Sequence, residues 1–254
     1  MEDKLGRTPR RGSRNMAGRK SSGNKLTAMM QVKNEAHRYL RMVLNDLSEY
    51  VDEIVILDDG STDETVEICR SYSKVVSLAT SNESMFGVNE RNLKMKLFYR
   101  TLATKPDWIL AIDADEMFEE RFKQEVRSMI NQARWDWYAF RFYHFWHSMT
   151  HYRVDKLWAP VQYGPRLFRY LPGSKYTWNP QALHGGSIPQ NVIADFPGKK
   201  SDLRIRHFGY AGTLEETRRK YEFYIQRDPD SEFCPREHYE SILDENPVLE
   251  AWVE

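Results

Sequence analysis

No stretch of the 254 residues approaches the ~20 consecutive apolar positions of a membrane-spanning helix. The first residues also lack the apolar core of a secretory signal. Two cysteines, Cys69 and Cys234, stand at no metal or redox spacing and make no disulfide framework. No transmembrane segment and a reducing, cytoplasmic setting are the expectations. Net charge is missing as well, with 37 Lys and Arg against 37 Asp and Glu. The imbalance is local. Residues 1–25 hold eight basic against two acidic residues, are rich in Gly and Ser, and contain almost nothing apolar. That segment is expected to be a disordered, solvated leader. Peripheral contact with anionic lipid is open to it, but its charge alone does not make a nucleic-acid binder.

What the chain has is length for one α/β domain and ample aromatic residues, 7 Trp, 14 Tyr and 12 Phe. Leu26 to Val32 reads as a buried strand, and Asn34-Glu35-Ala36 opens a helical pattern with apolar positions at Leu40, Val43, Leu44 and Leu47. Glu53 to Leu57 is a second strand, followed by turn chemistry and a helix from Asp63 to Ser71. Val75 to Leu78 is a third strand, then a helix runs from Glu90 through Arg100, and Trp108 to Ile112 is a fourth strand. A further helix is expected over Met117 to Gln132. This alternation predicts a mostly parallel sheet with helices on both faces.

Ligands of such sheets bind beyond the carboxyl ends of the strands. Both acid clusters, Asp58-Asp59 and Asp113/Asp115, fall at such ends. If strand geometry persists past Ile112, Asp113 and Asp115 point to one side and repel unless a cation lies between them, and a divalent ion with oxygen ligands suits them. Acids opening the next helix are the alternative. Asp58-Asp59-Gly60 is likewise an ordinary turn, and Asn34 a possible N-cap.

The segments Val32-Lys-Asn-Glu35, Ile56-Leu-Asp-Asp-Gly-Ser-Thr-Asp-Glu-Thr65, Glu90-Arg-Asn92 and Asp107-Trp-Ile-Leu-Ala-Ile-Asp-Ala-Asp-Glu116, in this order and spacing, resemble glycosyltransferase family 2. The resemblance covers residues 26 to about 130. It implies the GT-A fold, a Rossmann-like α/β arrangement that uses nucleotide-diphospho-sugars. By the resemblance, Gln31 to Asn34 would lie against the nucleotide base, Asp58 would accept hydrogen bonds from it, and Arg91 would face the nucleotide or its diphosphate. Asp113 and Asp115 match the family's D-x-D, with Asp113 near ribose and metal and Asp115 the main metal ligand. His207, in His207-Phe-Gly-Tyr210, would be a further metal or diphosphate ligand, and Lys220 would neutralise phosphate. Carboxylates with one imidazole suit Mn2+ or Mg2+.

The second half is plainer in composition than in role. Trp135 to Trp146 is dense in aromatics, partly alternates like a strand, and is expected to make core. His144, His147 and His151 are close in sequence, but their strand or loop setting argues against a metal role. Arg166 and Arg169 are out of step with alternation in a strand-like run, so they are not expected to share a face, and contact of one of them with phosphate or substrate is open. Related sequences often carry an acid after the histidine of Ala182-Leu-His184, where this chain has Gly185, so the general base is unassigned, with His184, Asp195 or an acid brought from elsewhere as candidates.

The expected organisation is a leader (1–25), a nucleotide-sugar-binding half (26–130), an acceptor-side half (131–230) and a C-terminal extension packed on the outside (231–254). The expected activity is metal-dependent, inverting glycosyl transfer to a glycan, lipid-linked or protein acceptor, as in cell-envelope polysaccharide synthesis. The rivals are a nucleotidyltransferase, against which the lack of a Gly-rich basic loop after the first strand speaks, and a non-catalytic sugar-binding or scaffold protein.

Overall fold

A computed structural model of the chain describes residues 19–254. The first half alternates as expected: β1 (Leu26–Val32), α1 (Leu40–Tyr50), β2 (Glu53–Asp58), α2 (Thr65–Arg70), β3 (Val75–Thr80), α3 (Glu90–Ala103) and β4 (Trp108–Ala111). The second half continues through β5 (Glu116–Phe118), α4 (Arg121–Ile130), β6 (Trp137–Trp146), β7 (His151–Arg153), β8 (Tyr163–Arg169) and α5 (Gln190–Asp195). It ends with β9 (Gly198–Tyr210), α6 (Leu214–Arg227), α7 (Arg236–Glu240) and β10 (Leu249–Ala251).

The sheet order is β10-β7-β6-β8-β4-β1-β2-β3. β4, β1, β2 and β3 are parallel, β8 is antiparallel to both β4 and β6, and β9 runs parallel to β6 and antiparallel to β5. The fold is therefore α/β, with a parallel half that carries the crossover helices and an antiparallel half built on β6.

Both faces of the parallel half are covered, which is why β1 has no polar alternation. Ala28, Met30 and Val32 meet Leu40, Val43, Leu44 and Leu47 of α1 and Phe122 and Val126 of α4, while Met29 faces Leu93, Leu97 and Phe98 of α3. The i, i+3, i+4, i+7 spacing on α1 places its four apolar residues on one stripe. Each such side chain contributes about 1.5–3 kcal/mol by leaving water.

Four expectations change. The helix from Asn34 begins only at Leu40, because Asn34 takes a positive φ of 52° and residues 33–39 form turns. The helix over Met117–Gln132 is shorter, since Glu116, Met117 and Phe118 pair with His207, Arg206 and Ile205 of β9 before α4 begins. The leader was expected to run to residue 25. Residues 1–18 lie outside the described residues, but Arg19 to Lys25 are tied to the fold. Arg19 Nε and Nη2 donate to the buried Asp136 at 2.9 and 2.6 Å, and Asn24 Nδ2 donates to the Ile130 carbonyl.

The C-terminal extension, finally, is not all outside. Tyr239 and Ile242 are buried with Trp146, Trp158 and Tyr210, and β10 pairs with β7 at the sheet edge. Asp228 holds the chain there by accepting from the Glu232, Phe233 and Cys234 amides and the Tyr239 hydroxyl. Among the described residues no helix is long and apolar enough to cross a membrane.

Candidate active site

A cavity of about 710 Å3 lies at the carboxyl ends of β1 and β4, where parallel α/β sheets hold their ligands. Gln31, Asn34, Asp113, Asp115, His207 and Lys220 all line it, so the structure gathers six of the residues singled out from sequence.

The end of β1 is fastened to the end of β2. Asn34 donates its amide to Ser61 Oγ and accepts the Thr62 amide on its side chain at 2.8 Å, so it is no helix cap. Asp58, 1 % exposed, accepts the Ser61 amide at 3.2 Å, which closes the turn. Gly60 takes a φ of +80°, the left-handed region in which a side chain is strained. Asp59 is fully buried and accepts from Ser84 Oγ and from the Met85 and Phe86 amides, at 2.6, 2.8 and 3.0 Å. Its carboxylate thereby sets the loop that brings Ser84 and Phe86 to the cavity wall.

β4 stops at Ala111, so strand alternation does not carry on to the two acids. Asp113 faces Arg166 at 3.6 Å, and Asp115 faces His207, although both line the same cavity. Arg166 is held by the buried Glu116 through two hydrogen bonds, 2.9 and 2.6 Å, and its guanidinium lies over the Phe142 ring. Arg169, three residues on, turns the other way and pairs with Asp136.

Asp115 Oδ2 and His207 Nε2 are 3.7 Å apart, too far for a hydrogen bond. Two ligands that each stand about 2.1 Å from one small divalent ion are separated by roughly 3–4 Å, and the pair fits that test. The backbone keeps the spacing, because the Phe208 amide donates to the Asp115 carbonyl at 2.8 Å. Among the described residues no third His, Cys, Asp or Glu joins them. An ion held there would take its other ligands from substrate phosphate and water, as Mg2+ commonly does.

Gly209 makes the room. A Cβ on it would stand 2.6 Å from His207 Cε1 and 2.6 Å from Lys220 Nζ. Lys220 Nζ donates to the Gly209 carbonyl at 3.0 Å and lies over the Tyr210 ring at 4.3 Å. Burial lowers its ammonium, against the pull of Asp115.

Four expected residues do not line the cavity. Asp58 is buried in the turn after β2, with its carboxylate on the Ser61 amide. Arg91 is on the exposed side of α3, and Lys94, one turn on, lines the cavity instead. His184, at φ 57°, places Nε2 3.2 Å from the Tyr239 hydroxyl, and Asp195 accepts from Asn191 at the exposed end of α5. Neither lines the cavity.

Sequence reasoning missed Glu35, Arg38 and the inward side of α6. Glu35 lines the cavity, and its Oε2 is buried without a hydrogen-bond partner. Burial pushes this carboxyl up to about 7, outweighing the nearby Arg38. Such a group can accept a hydrogen bond, or a proton, from a bound hydroxyl. α6 begins at a capping box, in which Thr213 accepts the Glu216 amide and Glu216 accepts the Thr213 amide. It turns Arg219, Lys220, Phe223, Tyr224 and Arg227 to the cavity. With Lys33, Arg38 and Lys94 these make a basic lining suited to phosphate.

His144 was missed as well. The parallel register of β6 and β9 sets it opposite His207, and their Nδ1 atoms are 2.8 Å apart. Burial pushes both imidazoles down, His207 to about 4 against the pull of Asp115, so both rings are neutral at pH 7.

The profile of the family described as Glycosyl transferase family 2 matches residues 27–187. An uncharacterised glycosyltransferase of Rickettsia felis is 29% identical over 207 residues, covering 79% of this chain and 67% of that protein. An uncharacterised protein of Mycobacterium tuberculosis is 26% identical over 230 residues, covering 82% of this chain but 52% of its own length. The chain thus spans about two thirds of the one and half of the other. Among solved structures, Staphylococcus aureus TarS (residues 1–349) superposes with a TM-score of 0.53 at 15% identity, over 86% of this chain and 69% of that one. At that identity the likeness carries the fold, which is GT-A, and nothing of the substrate.

Proposed function

The chain belongs to glycosyl transferase family 2, and on that footing we propose that it moves a sugar from a nucleotide-diphospho-sugar to an acceptor hydroxyl, with inversion at the anomeric carbon. The observation that supports this most is the pairing of Asp115 with His207 Nε2, 3.7 Å apart, inside a cavity lined by six Lys and Arg side chains.

Asp115 and His207 would hold Mn2+ or Mg2+, with the imidazole favouring Mn2+. Such an ion, when bound, neutralises the diphosphate as the glycosidic bond to it breaks. Lys220 and Arg38 face the same charge from the protein side, and in a partly dry site each is worth more than in water. Gln31 and Asn34 contact the nucleoside at the end of β1, and Asp58 with its turn shapes that pocket. Asp113, oriented by Arg166, binds beside the ribose.

The acceptor oxygen attacks the anomeric carbon from the face opposite the diphosphate. The bond to the diphosphate oxygen breaks, and the hydroxyl proton passes to a carboxylate. Of the lining acids, Asp115 faces His207, Asp113 faces Arg166 and Glu216 closes the α6 capping box. Glu35 keeps an oxygen without a partner and is the acid available for that proton.

The test is thermal unfolding with UDP-, GDP-, dTDP- and CMP-sugars, each with Mn2+ and with EDTA. A bound donor at 100 times Kd adds about 2.7 kcal/mol. A metal-dependent rise with one nucleotide class, followed by release of that nucleoside diphosphate on adding acceptor glycans, is the expected result. A flat response to every donor would sink the reading.

A further inference from the structure

His144 does not line the cavity, yet it touches the imidazole that does. β6 and β9 run parallel with His144 in register with His207, so the contact is built by strand pairing and does not depend on a flexible loop. The His144 ring is itself set among aromatic rings, with Trp158 edge-on at 5.2 Å and 84° and Tyr210 at 6.2 Å and 71°.

Two imidazole Nδ1 atoms 2.8 Å apart have room for a single proton between them, so one ring donates and the other accepts. If His144 donates, His207 must carry its own proton on Nε2. That N–H then points towards Asp115 Oδ2 at 3.7 Å, beyond hydrogen-bond reach, and stays unpaired. If His207 donates through Nδ1, its lone pair is on Nε2, the atom that faces the Asp115 carboxylate across an ion-sized gap. Only the second arrangement makes His207 a ligand.

We propose that His144 is a positioning residue: its Nδ1 accepts the Nδ1–H of His207 and so fixes both the tautomer and the angle at which Nε2 presents its lone pair beside Asp115. The proposal rests on the reading of Asp115 and His207 as a cation site. Its physical basis is general, since the ring nitrogen free to bind a metal is set by the hydrogen bond the other one makes. Gly209 completes the arrangement, because any Cβ there, two residues on along β9, would press on the His207 ring.

The proposal is tested without turnover. In metal-free wild-type protein, 15N–1H correlation spectra of the imidazoles should show His207 protonated at Nδ1 and His144 at Nε2. His207 protonated at Nε2 would overturn the proposal, and this measurement needs no variant. Titration of Mn2+ alone, followed by the EPR signal of the free ion, then compares wild type with His144→Ala and His144→Asn. The Asn side-chain oxygen stands where Nδ1 stood and can accept the same bond. Loss of an outer partner of this kind costs about 10–100-fold in metal affinity. His144→Ala should weaken Mn2+ by that factor, and His144→Asn should recover most of it. An Ala variant that melts like wild type and binds Mn2+ as tightly overturns the proposal while the cation site stands. No saturable Mn2+ binding by wild type overturns the cation site, and this proposal with it.

Discussion

Arg166 grips the buried Glu116 with both prongs of its guanidinium, at 2.9 and 2.6 Å, and reaches Asp113 at 3.6 Å with the same nitrogen that makes the shorter bond. One cation thus anchors an acid of the interior and orients an acid of the cavity. Burial already pushes the Glu116 carboxyl up to about 7 against the pull of Arg166, so truncating the arginine leaves a buried acid that must take up a proton or stay without its cation, at a cost of about 3–5 kcal/mol. Arg166→Met should lose that much in urea unfolding, and the double variant with Glu116→Gln should regain part of it. A single variant within 0.5 kcal/mol of wild type would mean that the pair carries no such weight.

Asp115 contributes little to the core, so its removal should separate binding from folding. Asp115→Ala is expected to abolish Mn2+-dependent stabilisation by a nucleotide-sugar and to shift the melting temperature of the free protein by a few degrees at most. Donor affinity with Mn2+ equal to wild type would remove Asp115 from the metal assignment.

Gly209 is required for space, since its φ lies outside the left-handed region. Gly209→Ala brings a methyl group to 2.6–2.7 Å from the His207 ring and Lys220 Nζ, so the ring must shift while the lysine swings aside. Mn2+ affinity should fall about tenfold or more, following the misaligned ligand. Unchanged affinity would show that His207 does not bind the ion.

Glu35 sets a pH dependence of known sign. Its folded-state carboxyl, at about 7, lies above the ordinary value of 4.5, so the native state binds this proton more tightly than the unfolded chain does. Its effect on stability therefore worsens as pH rises from 4.5 to 7 and is constant above, by up to about 3 kcal/mol in all. Glu35→Gln should flatten the fall of stability over that window. As the proton acceptor Glu35 should also make kcat rise through the same range, and Glu35→Gln should lower kcat by about 10^2–10^4. A variant that raised only the donor KM would make Glu35 a binding group.

At the N-terminus the expected outcome depends on where the chain is cut. Asp136 is 1 % exposed and is shared by Arg19 and Arg169. Removing residues 1–25, or changing Arg19→Ala alone, takes away charge-assisted bonds worth about 1.5–3 kcal/mol. Both should lower the melting temperature by several degrees. An Arg19→Ala variant that melts with wild type would show that Arg169 suffices.

How much of this was legible depends on the sequence distance over which each contact is made. The β1–β4 half could be read because its strands are short apolar runs with acids at their ends, and Asp113, Asp115 and His207 carried recognisable neighbours. The contact of His144 with His207 spans 63 residues and requires β6 and β9 to pair in parallel across intervening strands, which no local pattern announces. Glu116 to Phe118 followed helix-like spacing until β9 offered them a partner strand. Arg19 looked like one more charge in a polar leader, because the acid that binds it lies 117 residues away. Arg91 and Lys94 share a helix, and a shift of one turn decided which of them reaches the cavity.

The two walls of the cavity are built differently. One carries Asp113 and Asp115 in the short turn between β4 and β5 and His207 on β9, and the Phe208 amide ties that turn to β9. The opposite wall is α6, a helix in which only Thr217 is buried while Arg219, Phe223 and Arg227 project inward. Substitutions away from buried positions cost little stability, usually within about 0.5 kcal/mol. A lineage of such proteins could therefore trade one partner molecule for another by rewriting a single helix face, while the half that grips the charged leaving group stays as it is.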